Sequence, residues 1–107
     1  MNFNLTGNRL AALLLAVACA TVDATQLFRS GTAALDLGDA PAAVRDLEHA
    51  AQLLPESSAV HNHLGLAYAA SERHAEALRE FERAVAIDCE NQAAQTNLAR
   101  ARAHAER

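Results

Sequence analysis

The sequence repeats itself at a spacing of 34 residues, and this period constrains the fold more than any other feature. When residues 24–57 are laid over residues 58–91, glycine falls on glycine at Gly31 and Gly65, and apolar residues also coincide, such as Leu47 with Phe81. Further coincidences pair Ala33 with Ala67, Ala43 with Ala77, Arg45 with Arg79, Glu48 with Glu82, Ala50 with Ala84 and Glu56 with Glu90. A fixed period of this length marks stacked supersecondary units, none of which buries its apolar face alone. Chains of this kind work by presenting a surface to a partner.

The 107 residues suffice for one small domain, and their composition favours helices. Alanine supplies much of the 51% apolar content, aromatic residues are 4%, and the large apolar residues recur mostly at helical spacing. We therefore expect an all-α chain with five helices at about 25–37, 40–54, 59–70, 72–87 and 91–105. They group into one helical pair over 24–57, a second over 58–91, and a capping helix or partial third unit over 92–107.

Local signals mark the ends of these helices. Asp39 and Pro41 are a cap and a first-turn proline for the second helix, and Pro55 ends it. Ser71 is expected to start the fourth helix, on which Glu76 with Arg79 and Glu80 with Arg83 are expected to pair at i,i+3. Gly31 and Gly65 stand inside helices, where glycine costs up to about 1 kcal/mol relative to alanine. Close approach of a neighbouring helix would explain both, with Leu47 and Phe81 filling the remaining space.

The first twenty residues have the pattern of a secretory signal. Arg9 precedes the uninterrupted apolar run 10–18, and Ala18-Cys19-Ala20 places small residues where signal peptidase cuts, before Thr21. The run is about half the length needed to cross a bilayer, which disfavours a permanent span. An alternative is lipidation at Cys19, because residues 15–19 resemble a bacterial lipobox with Ala16 where leucine is usual. We expect an exported protein, periplasmic or envelope-associated.

Removal of Cys19 leaves Cys89 as the single thiol, so no disulfide forms within the mature chain. We expect Cys89 to be a small buried residue at a helix end, the alternative being a bond between chains. The net charge of −4 and the lack of a basic patch lead us to exclude nucleic acid as a partner.

Residues 60–68, with Ala77, Phe81 and Ala84 after them, resemble a tetratricopeptide repeat. The residues of the second unit that carry the resemblance are Leu64, Gly65, Tyr68, Ala77, Phe81 and Ala84. Those of the looser first unit are Leu27, Gly31, Ala43, Leu47, Ala50 and Pro55. His61 and Cys89 depart from the aromatic and the proline of the motif. The resemblance implies a short right-handed α-solenoid of two helix-turn-helix repeats with a concave groove.

The resemblance also implies that the first helix of each pair forms the inner wall of the groove. That wall would consist of Phe28, Arg29, Thr32, Asn62, His63, Leu66, Thr96, Asn97 and Arg100. Arg29 and Arg100 would hold a carboxylate, and Asn62 or Asn97 would bond a peptide backbone. Phe28 and Leu66 would take apolar side chains. A simpler interpretation is that these residues form an ordinary solvated face.

The residues argue against catalysis and against a cofactor or metal. His61 and His63 are two apart and point to different sides of a helix, and the other histidines have no partner at ligand spacing. The sequence therefore predicts a non-enzymatic module that binds a peptide or protein segment. One alternative is a homo-oligomeric structural protein that stacks through its repeat ends, since about three repeats are usually needed for stability. The other is an enzyme that uses His63 and Cys89.

Overall fold

A computed structural model of the chain describes residues 23–107, and this part is all-helical with no strand. Its five helices are α1 (Ala24–Asp36), α2 (Ala40–Leu53), α3 (Ser58–Ala70), α4 (His74–Ile87) and α5 (Gln92–Ala105). The all-α, solenoid-like fold class is thereby confirmed, with most helix ends within one residue of the prediction. The predicted signal at residues 1–20, including Cys19, lies outside the described residues. None of the helices in residues 23–107 has the length and apolar character needed to span a bilayer.

Side-chain caps fix the start of every helix except α4. The Asp39 carboxylate accepts from the amide of Ala42 at the start of α2, and the side chains of Asp23, Ser57 and Asn91 cap α1, α3 and α5. The prediction that Ser71 starts the fourth helix is wrong, because α4 begins at His74 after an Arg73 that makes no side-chain cap bond. Ser71 instead follows the last turn of α3.

The two turns within the helical pairs have the same backbone geometry, 34 residues apart. Gly38 has φ 76° and Glu72 has φ 60°. The amide of Gly38 donates to the Leu35 carbonyl and that of Glu72 to the Ala69 carbonyl, at 3.0 and 3.1 Å. Glycine adopts positive φ without steric cost, whereas glutamate does not. The sequence period is therefore reproduced in the turn even where the residue type differs.

The helices are arranged so that the odd-numbered ones form a continuous layer. Each helix packs against the next in the chain, and α3 also contacts both α1 and α5. Within residues 23–107, α2 and α4 do not contact each other. The odd helices therefore lie closer together than the even ones, and α1, α3 and α5 make one wall, which we call the inner wall.

Each mid-helix glycine lies against one large side chain of the partner helix. A Cβ atom placed on Gly65 would lie 2.5 Å from Cε1 of the Phe81 ring, and one on Gly31 would lie 2.5 Å from Cγ of Leu47. Leu47 is fully buried and Phe81 is 3% exposed. The missing side chain on each first helix thus creates the space that the large residue on the second helix fills.

Tyr68 links the two helical pairs. Its hydroxyl donates to Oε1 of Glu48 at 2.7 Å, and the guanidinium of Arg73 lies 4.5 Å from the centre of its ring. Arg73 also binds Glu76 through two hydrogen bonds and holds the pKa of that carboxyl below its usual value. The predicted pairing of Glu76 with Arg79 is therefore wrong, because Arg73 holds two of its guanidinium nitrogens at bonding distance from the Glu76 carboxylate.

We expect the phenol of Tyr68 to titrate well above its ordinary value. Burial raises its pKa first, and the hydrogen bond to Glu48 raises it further. The chain has one tyrosine and no tryptophan, so tyrosinate absorbance reports this group alone. The midpoint should lie above pH 10 in the folded protein and fall to about 10 in denaturant.

The same shift makes stability depend on pH in the alkaline range. Because the folded state disfavours the tyrosinate, the contribution of Tyr68 is complete below about pH 10 and is lost as pH rises above it. Tyr68→Phe should remove that slope while keeping the ring against Arg73. Equal midpoints in folded and denatured protein would contradict the buried hydrogen bond.

Candidate binding site

A pocket of about 390 Å³ opens between α3, α4 and α5, on the side of the inner wall. Its lining residues are Leu66, Ala69, His74, Ala77, Phe81, Asn97, Arg100, Ala101, His104 and Arg107. Three helices therefore contribute to it, together with Arg107, which lies two residues beyond the end of α5.

The floor and the rim of this pocket differ in chemistry. Ala77 and Phe81 are buried at its base, and Leu66, Ala69 and Ala101 are partly exposed around them. The exposed rim consists of cationic and polar side chains, and no aspartate or glutamate lines the pocket. Such a site suits a ligand that has an apolar group beside a negative charge.

Two histidines lie side by side on the rim. The rings of His74 on α4 and His104 on α5 are 4.1 Å apart between centres, in an edge-on arrangement. Within residues 23–107, no group of three or more histidine, cysteine or acidic residues is placed to hold a metal ion. Both rings belong to the rim of the pocket.

Three of the residues predicted for the groove meet at this pocket, namely Leu66, Asn97 and Arg100. Phe28, Arg29 and Thr32 lie on α1, outside it. The centres of the Phe28 and His63 rings lie 4.9 Å apart with the ring planes nearly perpendicular, and this contact joins α1 to α3 along the inner wall. The hydroxyls of Thr32 and Thr96 donate to carbonyls of their own helices.

Asn62 and His63 are engaged within the protein. Asn62 is 4% exposed, and its Oδ1 accepts a hydrogen bond of 2.9 Å from Nδ2 of Asn97. Nδ1 of His63 lies 2.9 Å from the Ala59 carbonyl of its own helix. The Asn62 side chain therefore joins α3 to α5, and a ligand on the inner wall meets Asn97 instead.

His61 fills the place of the aromatic residue in the motif and is buried. Its Nδ1 lies 2.6 Å from Oε2 of Glu80, and its Nε2 lies 2.7 Å from the Pro55 carbonyl oxygen. Arg83 approaches the same carbonyl from outside and also pairs with Glu56. Glu80 and Arg83 thus bind other partners, and their predicted pairing with each other is wrong.

Cys89 is exposed in the turn that follows α4, so the expectation of a buried thiol is wrong. Its carbonyl accepts a hydrogen bond from the side chain of Gln95, which fixes the backbone and leaves the thiol outside. The turn stands where the first unit has Pro55, another exposed position.

Five of the lining residues were not predicted from the sequence as members of the site, namely Ala69, His74, Ala101, His104 and Arg107. A usable signal was present, because Asn97, Arg100, Ala101 and His104 stand at i, i+3, i+4 and i+7 and so share one face of α5. That signal was obscured by interpreting α5 as a polar cap. Arg102 lies on another face and pairs with Glu82 at 3.7 Å.

The family model described as the Est1 DNA/RNA binding domain matches residues 43–101, which is more than half of the chain. The chain belongs to this family. The Est1 DNA/RNA binding domain is helical, which agrees with the fold, but the match does not confirm the tetratricopeptide resemblance. Comparison with curated proteins gives no match.

The Est1 match overturns the exclusion of nucleic acid as a partner, because the family is described by DNA and RNA binding. The exclusion rested on a charge averaged over the whole chain. Residues 92–107 contain three arginines and one glutamate, a local charge of +2, whereas residues 23–91 contain five arginines and twelve acidic residues, a charge of −7. A local cationic surface on α5 was therefore hidden in the average.

Proposed function

We propose that this protein is a non-enzymatic binding module of tetratricopeptide-repeat type that holds an extended acidic polypeptide segment against its inner wall. The observation that carries the proposal is the pocket, whose apolar floor is surrounded by Arg100, Arg107 and two histidines with no acidic residue among its lining. An apolar side chain of the segment would enter the pocket, and a neighbouring carboxylate would bind Arg100. Asn97, at the edge, would bond the backbone of the segment.

Three further observations support a repeat of this type. The 34-residue period of the sequence recurs in the paired turns at Gly38 and Glu72. Each glycine of the motif lies against the large residue that the motif places on the partner helix. The odd helices form a continuous wall. Export to the bacterial envelope is proposed from the pattern of residues 1–20 alone. Intact-mass spectrometry tests it, because removal of the signal should leave a chain that begins at Thr21.

Single-stranded nucleic acid is the second candidate, favoured by the family match and by the cationic face of α5. Proteins that bind single strands stack bases on exposed aromatic faces. Phe81 at the pocket floor is almost fully buried, so the exposed rings of His74 and His104 would have to serve. The apolar floor has no role in this alternative, which is why the polypeptide is preferred.

Fluorescence anisotropy with two labelled probes distinguishes the candidates. The first probe is a short synthetic peptide of leucine and glutamate, and the second is an oligothymidylate. Arg100→Ala should weaken peptide binding about tenfold, equivalent to about 1.4 kcal/mol. Arg79→Ala, which removes an exposed arginine of α4 outside the pocket, is the matched control and should leave it unchanged.

Arg29→Ala measures how far the segment extends, because Arg29 lies on α1 at the other end of the inner wall. A loss of peptide affinity with this variant would show that the segment extends along the whole inner wall, as the sequence predicted. Binding of the oligothymidylate alone, with affinity that falls steeply with salt, would favour nucleic acid instead. Binding of neither probe, or equal peptide binding by Arg100→Ala, would contradict the proposed site.

A further inference from the structure

One leucine stands out of the first turn with no partner among the described residues of its own chain. Leu37 is 85% exposed, far more than Leu53 or Leu54, the other exposed large apolar residues of the described part. The turn that carries it is held by two backbone bonds, from the Gly38 amide to the Leu35 carbonyl and from the Asp39 amide to the Ala34 carbonyl. The leucine is thus presented to solvent on an ordered turn between two acidic residues, Asp36 and Asp39.

The turn itself does not require a leucine. The second turn has the same pair of backbone bonds, from Glu72 to Ala69 and from Arg73 to Tyr68, and the same positive φ. Ser71 occupies there the position of Leu37. Because a polar residue serves equally well in this geometry, the exposed leucine has no explanation in the folding of the turn.

The pocket has the complementary chemistry. It offers an apolar floor at Phe81 and Ala77 and a rim that includes Arg100 and Arg107, and no aspartate or glutamate is among its lining residues. The segment that carries the turn and the segment that carries the pocket arginines also differ in charge. Residues 23–57 contain two arginines and six acidic residues, a charge of −4, against +2 for residues 92–107.

The turn and the pocket do not meet within one molecule. The pocket is built by α3, α4 and α5, and among the described residues neither α1 nor α2 contacts α4 or α5. An acidic turn with a protruding leucine therefore needs a second molecule to reach a pocket of this kind.

We propose that the occupant of the pocket is the first turn of a second copy of this chain. Leu37 of one copy enters the pocket of the next, and the carboxylates of Asp36 and Asp39 face the guanidinium groups of Arg100 and Arg107. The contact is heterologous, so a pair retains one free turn on one copy and one free pocket on the other, and further copies add head to tail. The proposal rests on the same pocket as the proposed function and makes self-association compete with capture of a partner.

Sedimentation velocity over a series of concentrations tests the contact with the full chain. The wild type should associate as concentration rises, and Leu37→Ser, which installs the residue of the second turn, should weaken association at least about tenfold. Leu53→Ser is the matched control, because it removes an exposed leucine outside the turn and should leave association unchanged. A wild type that stays monomeric, or equal association of Leu37→Ser and wild type, would overturn the proposal.

A mixing experiment tests the head-to-tail geometry. Leu37→Ser retains a working pocket. Ala101→Trp fills the pocket and retains a working turn. If Ala101→Trp loses its helical circular dichroism signal, Arg100→Glu is used in its place. Each variant alone should be monomeric, and an equimolar mixture should form a one-to-one dimer that grows no further. A mixture that stays monomeric, or that forms larger species, would refute this arrangement.

The two proposals fail in different ways. Leu37→Ser should bind the leucine–glutamate peptide as well as wild type, because its pocket is intact, whereas Ala101→Trp should lose the peptide and self-association together. Peptide binding without any self-association would refute only the proposed contact between copies. Self-association without peptide binding would refute only the proposed capture of an acidic polypeptide.

Discussion

Replacement of Gly65 by leucine is expected to lower the free energy of unfolding by about 3 kcal/mol or more, the upper range for an overpacked core. The reason is the Phe81 ring, of which three atoms would lie within 3.0 Å of a Cβ at position 65. Phe81 is itself buried in the core, and its ring also lines the pocket. Either the ring is pushed out of the core toward the pocket or α4 moves away from α3, and both changes disrupt the packing of α3 against α4.

Chemical denaturation followed by helical circular dichroism measures this effect. Ala59→Leu is the matched control, since it places the same side chain on an exposed position of the same helix and should change stability by less than about 0.5 kcal/mol. A Gly65→Leu protein that unfolds at the wild-type denaturant concentration would show that α3 and α4 are not packed through this glycine.

Leu47→Ala is expected to cost about 2–5 kcal/mol, because Leu47 is the largest fully buried side chain of the described core. Gly31→Ala alone should also destabilise, since its methyl group would lie 2.5 Å from Cγ of Leu47. In the double variant the new methyl group enters the space that Leu47 vacated. The combined cost should therefore be smaller than the sum of the two single costs by about 1 kcal/mol or more.

A double-mutant cycle by urea denaturation supplies the test. Gly31→Ala combined with Phe81→Leu is the control, because Phe81 packs against the other glycine and the two costs should add within about 0.5 kcal/mol. Additive costs for Gly31→Ala and Leu47→Ala would show that the first helical pair does not pack through this contact.

The helices and their pairing followed from local signals. Spacing of the apolar residues, the cap at Asp39 and the stop at Pro55 predicted the helix ends closely, because each acts over a few residues. The start of α4 was the exception. Ser71 is a good cap by type, yet the chain makes an extra turn through Glu72 at positive φ before the helix begins. Gly38, the equivalent residue of the first unit, indicates such a turn by its residue type. The second unit makes the same turn 34 residues later, where the residue is Glu72 and not glycine.

The predicted pair of Glu80 with Arg83 fails because both side chains reach beyond their own helix. Spacing along α4 predicted a pair of Glu80 with Arg83, whereas Glu80 reaches back to His61 on α3 and Arg83 to Glu56. Pairs along one helix are worth only a few tenths of a kcal/mol in water. A partly buried partner on a neighbouring helix, as His61 is for Glu80, therefore competes successfully, and sequence spacing does not reveal it.

The candidate site was likewise predicted only in part. Leu66, Asn97 and Arg100 were predicted for the groove and lie together at the pocket. Asn62 was predicted from the same pattern but is covered by Asn97, and His74 and His104 were absent from the prediction. A side chain on the correct face of its helix is available to a ligand only if the next helix leaves it uncovered. That depends on how closely α3 and α5 approach each other.

The 34-residue period alone determined that helices would form in pairs and that glycine would face a large residue within each pair, since these features depend on backbone hydrogen bonds and on residue size at fixed positions. The tertiary arrangement alone decided which polar residues are consumed as contacts between helices and which surround an open pocket. The physical reason is that exposure and local charge belong to a surface assembled from three helices. The average charge of −4 therefore gave no indication of the cationic rim that Arg100 and Arg107 form at one end.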